Sequence, residues 1–259
     1  MIGVRIAVQT KCLAQPLRQA LHTAGRLGAD GVQIDLRTEL PPAEVSDTGL
    51  RQVRKLLDDL NVRVGSVAFP TRRGYANPQE LDRRLEATLQ AMQLASKLAA
   101  RVILLGLGPI PAADEPDRST LLQALSTLAS RGNRLGVQIA AQCSQTAPGE
   151  LAALIAELPE GSLGVDLSPA DLIRSGQQPR PFAEALGPHL AHVFANDAVR
   201  GLGGGSAIDV ELGRGSADLP ELLGLLEEFD YRGWITVERR NSPQPIEDVG
   251  NAVQFLRAL

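Results

Sequence analysis

A closed (β/α)8 barrel is the fold this sequence predicts, and three observations carry it. Short β-rich runs alternate with amphipathic helical stretches along the chain. Eight such runs fall roughly 30 residues apart, the rhythm of a barrel whose usual length is about 250 residues; the chain has 259. No glycine-rich dinucleotide fingerprint follows the first run, which sets a doubly wound open sheet aside. No linker or composition break divides the chain, so residues 1–259 read as one domain.

The elements follow in order. Strand one is expected over 5–9 and helix one over 17–27. That helix stops at Leu27-Gly28-Ala29-Asp30-Gly31, with Gly28 as its C-cap. Strand two covers 31–36, helix two 50–60, strand three 63–68 and helix three 78–98. Strand four, 101–105, precedes a helix over 119–134, after which Leu135-Gly136-Val137 repeats the same stop before strand five, 136–141. Helix five, 150–157, leads to strand six, 162–166. The sixth helix is the shortest, 170–175, with a loop over 177–181 behind it. Strand seven, 190–195, a helix over 219–229 and strand eight, 234–238, complete the circuit.

Composition narrows the function classes. Apolar residues make up 44% of the chain, enough for a sizeable core. Aromatics are 3% and the net charge is -4, so there is no base-stacking platform and no overall basic character for a nucleic-acid partner. Cys12 and Cys143 do not make a disulfide framework, and a reducing, cytoplasmic location is the expectation. The start, Met1-Ile2-Gly3-Val4-Arg5, lacks the pattern of a secretory signal, and no apolar run is long enough to span a membrane.

In a barrel of this type the C-terminal strand ends form the site. Strands five to eight deliver Gln142, Asp166, Phe194 and Glu238 there. Side chains two apart share a strand face, so Gln33 aligns with Asp35, and His192 with Phe194 and Asn196. Asp166 and Glu238 end near-continuous apolar runs. A carboxylate there is costly without a cation, a polar ligand or a basic partner. The structural alternative is an ion pair to Arg37, Arg214 or Arg240.

These residues also carry a resemblance. The succession Gly-Val-Asp (164–166), His-Val-Phe-Ala-Asn-Asp (192–197), Leu-Gly-Arg-Gly-Ser-Ala-Asp (212–218) and Gly-Trp-Ile-Thr-Val-Glu (233–238) resembles the second half of the xylose-isomerase-like barrels. These are the sugar-phosphate isomerases and epimerases related to endonuclease IV. Leu27-Gly28-Ala29-Asp30-Gly31-Val32-Gln33 resembles the family's entry to strand two, where a glutamate often stands at the place of Gln33. The resemblance implies a divalent cation held by a glutamate, an aspartate, a histidine and a second glutamate. It also implies that the two glutamates move a proton next to a carbonyl. Asp166 and Glu238 match as metal ligands. Gln142 stands for the first glutamate, and its amide cannot act as a base. Phe194 stands for the histidine and has no donor atom. The expectation is therefore no cofactor, or a weakly bound Mg²⁺ or Mn²⁺ ion. His192 lies about 6.6 Å deeper along its strand, so it reads as a hydrogen-bonded core histidine. Three histidines in total argue against a multi-histidine zinc site.

Other polar groups are expected at the mouth. Lys11 either neutralises an anionic substrate or pairs with Asp35. Asn196 and Asp197 resemble the family's polar pair after strand seven. Arg214 and Arg240 suit a carboxylate or phosphate, or else ion pairs of their own. The segment 201–207 reads as a mobile lid, or as a phosphate nest of backbone N–H groups. Cys143 should face the helices. The expected activity is isomerisation or epimerisation of a small sugar, keto-sugar or polyol, phosphorylated or not. Glu238 is the catalytic residue, and Lys11, Gln33, Asp35, Gln142, Asp166, Asn196, Arg214 and Arg240 are the substrate-binding set. The competing reading is a non-catalytic barrel that binds carbohydrate or a partner protein. A small sugar-like molecule is the expected partner, without nucleic acid or membrane, and a homo-oligomer is left open.

Overall fold

A computed structural model describes residues 5–201 and 207–259. Eight parallel strands close in the order β1-β10-β7-β6-β5-β4-β3-β2, which completes a (β/α)8 barrel. They are β1 (Arg5–Gln9), β2 (Gly31–Asp35), β3 (Arg63–Ala68), β4 (Val102–Gly106), β5 (Gln138–Gln142), β6 (Gly164–Leu167), β7 (Leu190–Ala195) and β10 (Trp234–Val237). β1, β3 and β7 keep the expected bounds, and the others shift by one or two residues at their ends.

The barrel strands are largely buried on both faces because helices cover the outside and other strands the inside. Ile6, Val8, Val32, Ile34, Ile103 and Leu105 join the large outer core with the helices. Leu104, Ala140, Ala191 and Phe194 form a separate small cluster, with Ala68 and Val102 against it.

Proline opens several of the helices, where its missing donor costs nothing, and glycine behind some of them allows a left-handed turn. α4 (Pro116–Leu135) has Pro116 in its first turn and Gly136 behind it at φ 68°. α2 (Asp47–Asp59) is capped by Ser46, whose hydroxyl accepts from Gly49 N at 3.1 Å. α1 (Leu17–Arg26), α3 (Leu81–Lys97), α5 (Pro148–Ala156), α6 (Pro169–Ser175) and α8 (Leu219–Glu228) fall close to expectation.

Three features were not expected. The loop read over 177–181 runs into α7 (Pro179–Leu186), where Pro179 opens a helix and Phe182, Ala183 and Leu186 are buried. α9 (Pro245–Ala258) packs Val249, Ala252, Val253 and Leu256 into the core at helical spacing. Beyond β7 the chain makes a small antiparallel pair, β8 (Asp197–Val199) with β9 (Ile208–Val210). The loop predicted over 201–207 lies between them, and its residues 202–206 are outside the described residues.

Two register shifts interrupt the barrel, between Val32 and Gln33 and between Val165 and Asp166. Such irregularities re-aim the side chains that follow them. Gln33 and Asp166 each directly follow one of these shifts.

Candidate functional site

A hydrogen-bonded chain joins the two buried acids at the C-terminal end of the barrel. Gln9 Nε2 donates to Glu238 Oε1 and to Gln33 Oε1, both at 3.0 Å. An ionised carboxylate only accepts, so Glu238 sets the direction of the Gln9 amide. Gln33 therefore accepts through oxygen, and its Nε2 donates to Ser66 Oγ at 2.9 Å and to His192 Nε2 at 3.2 Å. With Nε2 accepting, His192 carries its proton on Nδ1 and donates to Asp166 Oδ1 at 2.8 Å. Thr236 Oγ1 meets the same Nε2 at 2.8 Å. Gln142 Nε2 reaches Asp166 Oδ2 at 3.4 Å.

A second chain leaves the other oxygen of Glu238. Oε2 accepts from Asn196 Nδ2 at 2.8 Å and from Arg240 Nη2 at 2.9 Å. Arg240 forks onto Asp171, with bonds of 2.9 and 3.1 Å. Arg174 then bridges Asp171 and Asp209. Acid and base alternate from the barrel mouth out to β9.

Burial and pairing pull the carboxyls apart. Burial raises Glu238 above the ordinary carboxylate range, with Arg240 and then Asn196 opposing it. Asp166 is raised by burial, against the hydrogen bond from His192. Asp171 ends below its usual value: burial pushes it up, but Arg240, and then Arg174 and Ser168, outweigh that. Arg240 loses some basicity to burial and regains more from Glu238 and Asp171, so it stays a cation. A carboxyl raised toward neutrality, beside a fixed guanidinium, is suited to taking and returning a proton.

Residues 21–259 match the family described as the xylose isomerase-like TIM barrel. The chain belongs to that family. Among solved structures, the xylose isomerase domain protein of Planctomyces limnophilus is 20% identical, with TM-score 0.86 over 98% of this chain and 96% of that one. The D-allulose 3-epimerase of Methylomonas sp. in complex with D-allulose is 17% identical, with TM-score 0.79 over 98% and 96%. A xylose isomerase-like TIM barrel protein from Mycobacterium smegmatis in complex with magnesium is 17% identical, with TM-score 0.77 over 93% and 88%. No curated protein matches the chain.

On this family barrel the expected residues divide. Gln33, Gln142, Asp166, Asn196, Glu238 and Arg240 are brought together. Asn196 is fully engaged, since its Nδ2 also donates to Ser168 Oγ at 3.1 Å and its oxygen accepts from Ala170 N at 2.9 Å. Lys11 and Asp35 pair with each other at 2.9 Å, and Asp35 Oδ1 also accepts the N–H groups of Arg37 and Thr38. Arg214 does not join: its side chain is 73% exposed and lies 3.2 Å from Glu211. Arg37 stacks over the Phe69 ring at 4.3 Å. Of the three arginines offered as ion-pair partners, only Arg240 reaches one of the two acids.

Asp197 is occupied by the backbone. Its carboxylate accepts from the N–H groups of Ala198, Gly213, Gly215 and Ala217. A Cβ at Gly215 would fall 2.1 Å from Asp197 Oδ1, so this loop closes only around a glycine. Phe194 is fully buried in the inner cluster and meets the His192 ring edge-on at 4.7 Å. Asn196, not Phe194, is the residue after β7 that touches Glu238. Cys143 is buried, and burial followed by the Asp166 charge raises its thiol to about 12, which leaves no thiolate at neutral pH.

Sequence reading missed Gln9, Asp171, Arg174 and Asp209. Gln9 had a signal, because it ends β1 on the inward face two residues beyond Ala7. The other three had none, since they meet the site only through β8, β9 and the start of α6. Among the described residues there is no group of three or more His, Cys, Asp or Glu side chains arranged to hold a metal. No helix among them is long and apolar enough to cross a membrane.

Proposed function

We propose that this protein is a sugar isomerase that works with one carboxylate base and no resident metal ion. The carrying observation is Glu238: buried, raised in pKa, and 2.9 Å from the guanidinium of Arg240. The substrate class is a small sugar, keto-sugar or polyol derivative, in line with the family and with the neighbour bound to D-allulose.

The residues present do not fit a family-type divalent ion. Gln142 brings no charge, Phe194 brings no donor, and Arg240 already neutralises Glu238. A cation entering beside that guanidinium would meet repulsion. The centre reads as a degenerate metal site in which a fixed arginine supplies the positive charge.

The proposed reaction uses this single base. Ionised Glu238 takes the proton from the carbon next to the carbonyl, and the C–H electron pair moves to the carbonyl oxygen as an enediolate. Arg240 stabilises that oxygen. Asp166, oriented by His192 and Gln142, holds a substrate hydroxyl. Protonated Glu238 returns its proton on the same face, to the former carbonyl carbon, while the proton of the adjacent hydroxyl passes to the enediolate oxygen and that hydroxyl's carbon becomes the new carbonyl. A single base on one face moves a carbonyl between adjacent carbons, whereas inversion at one carbon needs a second acid across the substrate. Gln142 removes that second acid, so aldose–ketose isomerisation is favoured over epimerisation.

The test is solvent-deuterium exchange across a panel of ketoses, aldoses and their phosphates. Saturable exchange is expected, and Glu238→Gln should lower it by about 10²–10⁴-fold, the usual worth of a general base. Purified protein grown with Mn²⁺ and Co²⁺ should carry far less than one metal per chain, and Gln142→Glu/Phe194→His should carry more. A second reading is favoured by the same network, because its acids already have partners within the chain. It is a non-catalytic barrel that binds carbohydrate or a partner protein. Sugar binding without exchange would establish it and overturn the isomerase.

A further inference from the structure

The opposite end of the barrel, where the strands begin, holds a cavity of about 830 Å³. Five arginines line it, Arg5, Arg54, Arg63, Arg101 and Arg232, against two aspartates, Asp58 and Asp230. Five positive and two negative charges give +3 locally, on a chain whose total is -4. Arg232 pairs with Asp230. Among the described residues, Arg5, Arg54, Arg63 and Arg101 have no carboxylate within ion-pair distance.

The floor of this cavity is built. Trp234 opens β10, and its indole lies against Gly31 on β2 and Gly65 on β3. A Cβ at either glycine would stand 2.7 Å from the ring. Two strands are thus left bare where one large side chain crosses them. The Arg5 guanidinium sits 5.0 Å from the ring centroid, and strand register sets Arg5 beside Trp234 and Arg63 beside Gly31. Arg5 and Arg63 each open a strand, so the sheet fixes where their side chains begin. Like charges gathered in a concavity focus a positive potential, and guanidinium forks match phosphate oxygens. A phosphate monoester brings about -1.5 to -2, so two phosphoryl groups match the outstanding +3.

We propose that this N-terminal cavity is a binding site for a diphosphate group, separate from the Glu238 centre and independent of the reaction assigned there. The ligand is either free diphosphate or a nucleoside diphosphate that carries the same group.

Trp234 is the chain's one tryptophan, so intrinsic fluorescence reports from the cavity floor. The intact chain is titrated with inorganic pyrophosphate at constant ionic strength, by fluorescence and by calorimetry. A saturable signal in both is expected, at least tenfold weaker in Arg63→Gln/Arg101→Gln and unchanged in Glu238→Gln. Arg63→Lys keeps the charge without the fork and should fall between wild type and the double variant. It serves on its own if the double variant does not fold. A parallel titration with ADP separates the sources: tighter binding than pyrophosphate assigns a nucleotide, and equal binding assigns the diphosphate alone. The proposal is overturned by no saturable heat at millimolar pyrophosphate, by equal affinity after the arginines are replaced, or by loss of binding in Glu238→Gln.

Discussion

The two ends of this barrel handle charge in opposite ways. At the C-terminal end every ionised group of the centre has a partner inside the chain: Glu238 with Arg240, Asp166 with His192, Asp171 with Arg240 and Arg174. At the N-terminal end Arg5, Arg54, Arg63 and Arg101 surround a cavity without an acidic partner among the described residues. The difference follows from burial. Strand-end carboxyls at the mouth are almost fully buried, and an unpaired charge there would cost several kcal/mol. The arginines at the other end keep contact with water and tolerate the absence of an acid. Internal pairing fixes the polar groups at the mouth, whereas the charges at the open end stay in contact with water.

Phe194→Ala tests whether the inner cluster holds the mouth in place, and it carries the largest expected effect. The ring is fully buried against Leu104 and Ala140. Its removal should cost about 3–5 kcal/mol in urea unfolding. A loss under 1 kcal/mol would mean that the barrel interior collapses around the gap.

Gly65→Ala asks the same of the opposite end. The added methyl would lie 2.7 Å from the Trp234 ring, so overpacking should cost about 1–3 kcal/mol and shift the Trp234 emission. Unchanged emission and stability would show that the indole is not held across the floor.

The finest test is pH. Glu238 lies above its ordinary 4.5, and it acts as a base only when ionised. Turnover should therefore rise with pH along a limb placed above 4.5. Arg240 pulls that value down, so Arg240→Gln should move the limb to higher pH. Stability moves the other way. A raised carboxyl favours the folded state below its unfolded value, and that advantage is lost as pH rises through the folded one. Glu238→Gln should flatten that decline. A limb unmoved by Arg240→Gln would separate Arg240 from the base.

The alternation of apolar runs and helical stretches was enough to place the eight barrel strands within one or two residues, because a buried parallel strand writes its burial into consecutive side chains. That Gln142 ends strand five and Phe194 lies near the end of strand seven was equally open to reading, since it needs only position along a strand. Proline-rich stretches hid α7, where the ring opens a helix instead of breaking one. What composition and period determine is which residues are buried and on which face. Which polar groups then meet was decided only by barrel closure. Closure brings Gln9 to Glu238 across 229 positions and Gln33 to His192 across 159. It brings Arg240 onto Asp171 through a loop and a short helix. Hydrogen bonds and ion pairs act over a few ångströms in space and leave no period in the chain, so only the folded barrel determines them.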